Sequence, residues 1–406
     1  MPEPLSADRT RPGITLVSAD IQKNPFPLYA TLRNSYPVCQ VEPHGMWVIS
    51  RYDDVQFALK NPQIFSSRAF RTIHQPEWLK PECRRDYFIL SQDPPEHTKH
   101  HALVNKAFVH RVINHLATNM RQRAKELAVE LAGGEMDFIS RFTDPYVAAT
   151  LGQITGTGEH QSAEEMRHLV KLTQVITPSR PDDGRVRELE DAIDKQRQRF
   201  TAAISARRDT PQSDLLGTLV ATEIDGERLS DEMLISLLDL LINAGFETTS
   251  STLAGAVIQF ARQPGLVTRL RADPTLIPAF VEELVRYDPP THSVLRQTTQ
   301  PITLSGVEIP ENTLIFILLA AANRDPERFE NPDLFELNRT NIKEHVAFGH
   351  GPHTCIGAAL ARLKIKIALE ELLERFSSFG CPADDDLQWS GALLVHAVTA
   401  LPVRFQ

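Results

Sequence analysis

One cysteine, Cys355, stands in residues 348–357 (FGHGPHTCIG), where Gly349, Gly351 and Gly357 punctuate a loop that runs into a helix expected from about Ala358. A thiolate that ligates a metal must be deprotonated and reachable. The positive end of a helix and its unpaired first-turn N–H groups favour the thiolate. Glycines leave those groups, and any flat ligand, unobstructed. An isolated cysteine is otherwise read as a small buried hydrophobe. The surrounding pattern of glycines with Phe348 and His353 argues against that reading here.

A second pattern lies in AGFETT, residues 244–249. Glycine and hydroxyl residues are poor choices for a helix interior, glycine alone costing about 1 kcal/mol relative to alanine. Their presence points to function. Thr248 can hydrogen-bond back to the carbonyl of Ala244 and loosen the helix, and Gly245 leaves space beside it for a diatomic ligand. The bland alternative is a row of self-satisfied hydroxyls with Glu247 in a salt bridge.

These residues need a long helix to carry them. Residues 231–263 supply one: Ser230 is the expected N-cap, Asp231 and Glu232 suit the first turn, and Pro264 ends the run. It is apolar on nearly every face, and Asp239, Asn243 and Glu247 make it a buried central helix rather than a membrane span. Strand signals gather at residues 46–50 and 302–319. Residues 66–92 read as an irregular loop, and TPSRPDDGR, residues 177–185, as a mobile connection between helices.

On these motifs the chain resembles the heme-thiolate cytochrome P-450 monooxygenases along nearly its whole length. The resemblance implies one mainly α domain, residues 1–406, with small β-sheets and a heme b between the central helix and the cysteine-loop helix. It makes Cys355 the axial iron ligand, sets Phe348 beside it, and directs His353 to a heme propionate. Ala244, Gly245, Gly349 and Gly357 line the cofactor. Glu247 and Thr248 become the acid and alcohol that deliver protons to dioxygen so that one oxygen leaves as water. Phe246 stands where the family often has histidine.

Glu283 and Arg286 share one helical face at a spacing that allows an ion pair. In register with the cysteine loop they resemble the family's structural pair, completed by Arg339. Arg296 matches a propionate-binding arginine placed just before the second strand region. In DPPEHTKHHALVNKAF, residues 93–108, His97 matches a propionate ligand, whereas His101 stands where the family has arginine. His97, His100 and His101 lack the glutamate and fourth ligand of a zinc site. By the same alignment Leu240, Asn243, His292, Val294 and Leu394, with Phe88 and Ile89 of the variable loop, line a mostly apolar substrate pocket.

With 406 residues, 42% hydrophobic and 23% charged, the chain can bury a large core. Its net charge of −9 argues against general nucleic-acid binding. Cys39, Cys83, Cys355 and Cys381 form no Cys-x-x-Cys pair, which fits a reducing cytoplasm. The polar N-terminus offers no membrane anchor, so the resemblance is to the soluble bacterial type. The chain shows no flavin or nicotinamide fingerprint of its own, so electrons come from a ferredoxin or flavodoxin with its reductase. Lys99, Lys106, Arg111, Arg362, Lys364 and Lys366 are the expected docking patch. The expected reaction inserts one atom of dioxygen into a terpenoid, steroid, macrolide or fatty-acid-like substrate. A peroxide-driven peroxygenase and a heme-based sensor are the rival readings.

Overall fold

The computed structural model describes residues 10–42, 45–74, 76–84, 88–108, 110–132, 134–158, 161–174, 180–212, 214–390 and 394–406. Its contacts divide the chain into two compact units. One comprises Met1–Ala69, Thr275–Cys355 and Pro382–Ala400, and the other Phe70–Pro274, Ile356–Cys381 and Leu401–Gln406.

The first unit is built on a five-stranded sheet in the order Val38–Val41, Met46–Ile49, Leu314–Leu318, Ser293–Thr298, Phe65–Ser66. Leu314–Leu318 pairs parallel with Met46–Ile49 and antiparallel with Ser293–Thr298. Successive side chains on a strand point to opposite faces. Trp47 and Ile49 accordingly join Ile315 and Ile317 in one apolar cluster, while Met46 and Val48 join Phe316 and Cys39 in another. A sheet covered on both faces explains a strand as uniformly apolar as LIFIL. Ser305 and Gly306, both at positive φ, close the hairpin between Ile302–Leu304 and Val307–Ile309. That is the turn handedness the twist of a two-residue hairpin favours.

The second unit is helical. Asp231–Arg262 is its longest helix: the Ser230 hydroxyl accepts from the Met233 N–H, and Pro264 begins the next helix. It packs against Asp144–Thr155, Ala163–Gln174 and Ala358–Arg375. Ala358–Arg375 also packs along His110–Glu130, where Arg121 forms ion pairs with Glu370 and Glu371. A three-stranded sheet of Phe379–Gly380, Pro402–Phe405 and Glu135–Asp137 lies in the same unit.

Three expectations change. Residues 66–92 are more ordered than a loop, with helices Ala69–His74 and Phe88–Ser91 and a 3-10 turn at Pro81–Cys83. Leu79 and Cys83 are held by Leu172, Leu189 and Ile193, long-range apolar contacts that local composition does not reveal. The connection at 177–185 is shorter, because Asp182 caps a helix that already starts at Asp183; Thr177, Pro178 and Ser179 lie outside the described residues. Arg296 lies inside a strand, not before one.

Candidate active site

The cysteine loop is fixed by its backbone. The Cys355 N–H donates to the Phe348 carbonyl at 2.8 Å, and the Gly349 N–H to that of Val346 at 2.8 Å. Gly349 and Gly351 have φ of +71° and +73°, a region open to glycine. A Cβ on Gly351 would also come within 2.6 Å of the Leu59 carbonyl oxygen. Gly357, at φ −86°, is under no such constraint and serves as N-cap residue of Ala358–Arg375. Within this loop Cys355 is exposed, whereas Cys39 and Cys83 are buried. The Phe348 ring lies 6.0 Å from that of His345. His353 Nε2 is 2.9 Å from the Ser67 hydroxyl, a partner the sequence does not announce. Arg296 is buried in its strand, with Nη1 donating to the Leu295 carbonyl at 2.8 Å.

Glu283 and Arg286 are both fully buried and joined by two bonds, Nε to Oε2 at 2.8 Å and Nη2 to Oε1 at 2.7 Å. Arg339 Nε lies 3.3 Å from Glu283 Oε2, and the Glu336 N–H donates to Oε1 at 2.8 Å. Arg286 then reaches the carbonyls of Asn323, Pro332 and Leu334. The carboxylate thus holds two guanidiniums, which between them bind the Asn323 carbonyl and the carbonyls of Glu330, Asn331, Pro332 and Leu334 in one stretch of chain. Bidentate geometry and satisfied remaining donors are what a buried ion pair requires.

On the central helix, Ala244 alone is exposed between Met233 and Phe260, with Gly245, Glu247 and Thr248 partly exposed around it. Thr248 Oγ1 donates to the Ala244 carbonyl at 2.7 Å, and Thr252 Oγ1 to that of Thr248 at 2.8 Å. The helix nevertheless continues unbroken through this stretch. A Cβ on Gly245 would stand 3.2 Å from Leu151 Cδ2, so on that side the glycine allows close packing of Asp144–Thr155. Phe246 is buried beneath the Arg167 guanidinium, which ion-pairs with Asp144.

His97 is buried, its ring 5.2 Å from that of His101. His101 Nδ1 lies 3.0 Å from Asn105 Nδ2, while its buried Nε2 has no hydrogen-bond partner among the described residues. Burial pushes the His101 pKa down. His100 turns elsewhere, with Nδ1 2.7 Å from Gln92 Oε1, so the three histidines do not converge.

Several expected pocket residues have other duties. Asn243 accepts from Thr173 Oγ1 at 2.5 Å and donates to the Asp239 carbonyl at 2.9 Å, which commits its amide to tying two helices together. His292 is 3% exposed and enclosed by Tyr29, Phe26 and His396, so it packs in a core instead of facing a substrate. Ile89 is buried, Leu240, Val294 and Leu394 are partly exposed, and the Phe88 side chain lies outside the described residues. In the basic patch Lys364 is only 2% exposed and drops out. Lys99 pairs with Glu227, and Lys106 donates to the Glu223 carbonyl at 2.9 Å. The Arg111 side chain lies outside the described residues.

The family model "Cytochrome P450" matches residues 175–398. The chain is 36% identical to "Cytochrome P450 107B1" of Saccharopolyspora erythraea, over 93% of its own length and 94% of the relative's. It is 32% identical to "Cyclomarin C epoxidase CymV" of Salinispora arenicola, covering 87% and 90% of the two chains. The solved structure of CYP109Q5 from Chondromyces apiculatus superposes with a TM-score of 0.88 at 30% identity, over 97% of this chain and 98% of that one. No helix among the described residues is long and apolar enough to cross a membrane. An exposed cysteine on a glycine-shaped loop, a buried Glu283–Arg286–Arg339 cluster and full-length similarity to these proteins lead to one conclusion: the chain belongs to the cytochrome P-450 family, heme b enzymes that insert an atom of dioxygen into lipophilic substrates.

Proposed function

We propose that Cys355 is the thiolate ligand of the heme and that Glu247 and Thr248 manage the protons of the monooxygenase reaction. The observation that carries this reading is Ala244, the single exposed residue between Met233 and Phe260, with the Thr248 hydroxyl bonded to its carbonyl. Heme bound through a thiolate supplies oxygen activation and transfer. The donor set fits such a group: the exposed sulfur belongs to Cys355, and a buried nitrogen of His101 awaits a partner that a propionate can provide.

Each residue then has a stated task. Cys355 holds the metal, on a loop whose backbone bonds fix the sulfur's origin. Arg296, His97, His101 and His353 bind carboxylates. Thr248 parks its proton on the Ala244 carbonyl and can turn it outward, while Glu247, one residue away and partly exposed, replenishes it from solvent. Glu283, Arg286 and Arg339 position the turns that precede the cysteine loop. Leu240, Val294, Leu394 and Ile89 present apolar surface to a lipophilic substrate. Both units are parts of one catalytic domain, since the relatives span both.

The electron donor is a ferredoxin or flavodoxin with its reductase, docking on Arg362 and Lys366, and the enzyme works in the cytoplasm. The test is product formation under labelled dioxygen with NADPH and each donor pair in turn. One labelled oxygen atom per product is expected with a donor pair. Product obtained with hydrogen peroxide alone, and none with any donor, would instead support a peroxygenase.

A further inference from the structure

The first unit contains a cluster of groups that the monooxygenase reaction does not use. Asp288, His292 and His396 each offer one ligand atom, all within 4.8 Å of one another. The His292 and His396 side chains are more than nine-tenths buried, at 3% and 7% exposure. His292 Nε2 and His396 Nδ1 are buried atoms with no hydrogen-bond partner among the described residues. Buried polar atoms are rarely left so, and each such pair calls for an explanation.

The opposite nitrogen of each ring is already held. His396 Nε2 is 2.7 Å from the Gln22 carbonyl oxygen, which can only accept, so the proton sits on Nε2 and the Nδ1 lone pair faces the cluster. His292 Nδ1 is 3.1 Å from the Tyr29 hydroxyl, and a phenol can accept from Nδ1–H and leave the Nε2 lone pair free. Anchoring of the remote nitrogen by a carbonyl or hydroxyl is the usual outer support of a metal-bound imidazole. The carboxylate is close, with Asp288 Oδ1 4.0 Å from His292 Nε2.

The backbone frames the cluster tightly. The His292 N–H donates to the Leu394 carbonyl at 2.9 Å, and the His396 N–H to that of Pro290 at 2.8 Å. Trp389 stacks on the outer face of His396 at 4.0 Å between ring centroids.

We propose that Asp288, His292 and His396 form a binding site for one zinc-class divalent ion, a second metal centre distinct from the heme. Two imidazoles and one carboxylate are a donor set suited to Zn2+ with a fourth position for water. Bonds of about 2.0–2.2 Å draw the three ligand atoms closer together than they stand now: the partly exposed Asp288 moves in, and the His292 and His396 rings, stacked 4.5 Å apart between centroids, turn so that both lone pairs meet the ion. The ion cross-links the segment after Tyr287 to the paired strands Gln388–Trp389 and Val398–Ala400 and so steadies the strand that carries Arg296.

The experiment uses the heme-loaded enzyme, stripped with a chelator and dialysed to equilibrium against Zn2+, with iron measured in the same sample as an internal count of chains. One zinc per iron is expected, with a rise in the thermal midpoint on adding Zn2+. Asp288→Asn keeps the shape of the side chain, and His396→Gln removes a ligand; each should weaken zinc binding at least about tenfold and abolish the thermal shift. The iron content of each variant checks that it has folded. Zinc uptake well below one per iron, or uptake that neither variant weakens, overturns the proposal.

Discussion

The Thr248 hydroxyl donates to the carbonyl of Ala244, 2.7 Å away, at the only exposed residue between Met233 and Phe260. A proton-bearing group is thereby stored on the helix's own backbone at the one place where the helix is open. Thr248→Ala removes the proton and leaves the helix, since alanine is the better helix former. Substrate binding should be kept while reducing equivalents escape as hydrogen peroxide. The ratio of product to NADPH consumed should fall several-fold, and an unchanged ratio would remove Thr248 from the proton path.

Glu283 lies fully buried between Arg286 and Arg339. Glu283→Gln leaves two guanidiniums without their counter-charge, and breaking a buried pair from one side typically costs about 3–5 kcal/mol. Denaturant unfolding should show a loss of that order, together with poor heme incorporation. A change below about 1 kcal/mol, the value of an exposed pair, would contradict the role assigned to the cluster.

His101 gives a pH dependence whose sign follows from its burial. In the heme-free protein burial is the cause that lowers its pKa, so His101 is neutral at neutral pH. Protonating it costs more in the folded than in the unfolded state, and this penalty on stability grows as pH falls through the unfolded value near 6.5. A propionate against Nε2 reverses the shift: the pKa rises, and the ion pair is full below 6.5 and fades as pH climbs through the raised value. Among the described residues the ring meets Asn105 and the His97 ring, neither of which carries a negative charge. Heme transfer to an acceptor protein should therefore quicken toward alkaline pH, and His101→Arg, charged throughout, should hold heme better there. Identical profiles for the two proteins would discard the contact.

The parts of this molecule that local rules govern were legible in the sequence. Ser230 and Pro264 bound the central helix because capping and imide geometry act within a turn. Glu283 and Arg286 meet because three residues is less than one turn. The misreadings concern groups whose partner lies far along the chain. Asn243 looked like a polar pocket residue, but Thr173 takes its carbonyl. Gly245 also meets Leu151 on the side where a Cβ would lie, a contact that its neighbours in sequence do not announce. Lys364 looked like a surface charge from its type alone, yet the face it shares with Leu360 and Ala368 is the buried one. His292 followed the family's pocket, and nothing near it in sequence points to Tyr29 or His396.

Cys355 carries the account, and one spectrum tests it. The reduced enzyme exposed to carbon monoxide should show the strongly red-shifted absorption that thiolate ligation gives, and Cys355→Ala, if it still takes up heme, should lack that band. Retention of the band by the alanine variant would mean that another group ligates the iron and would contradict the assignment of the site.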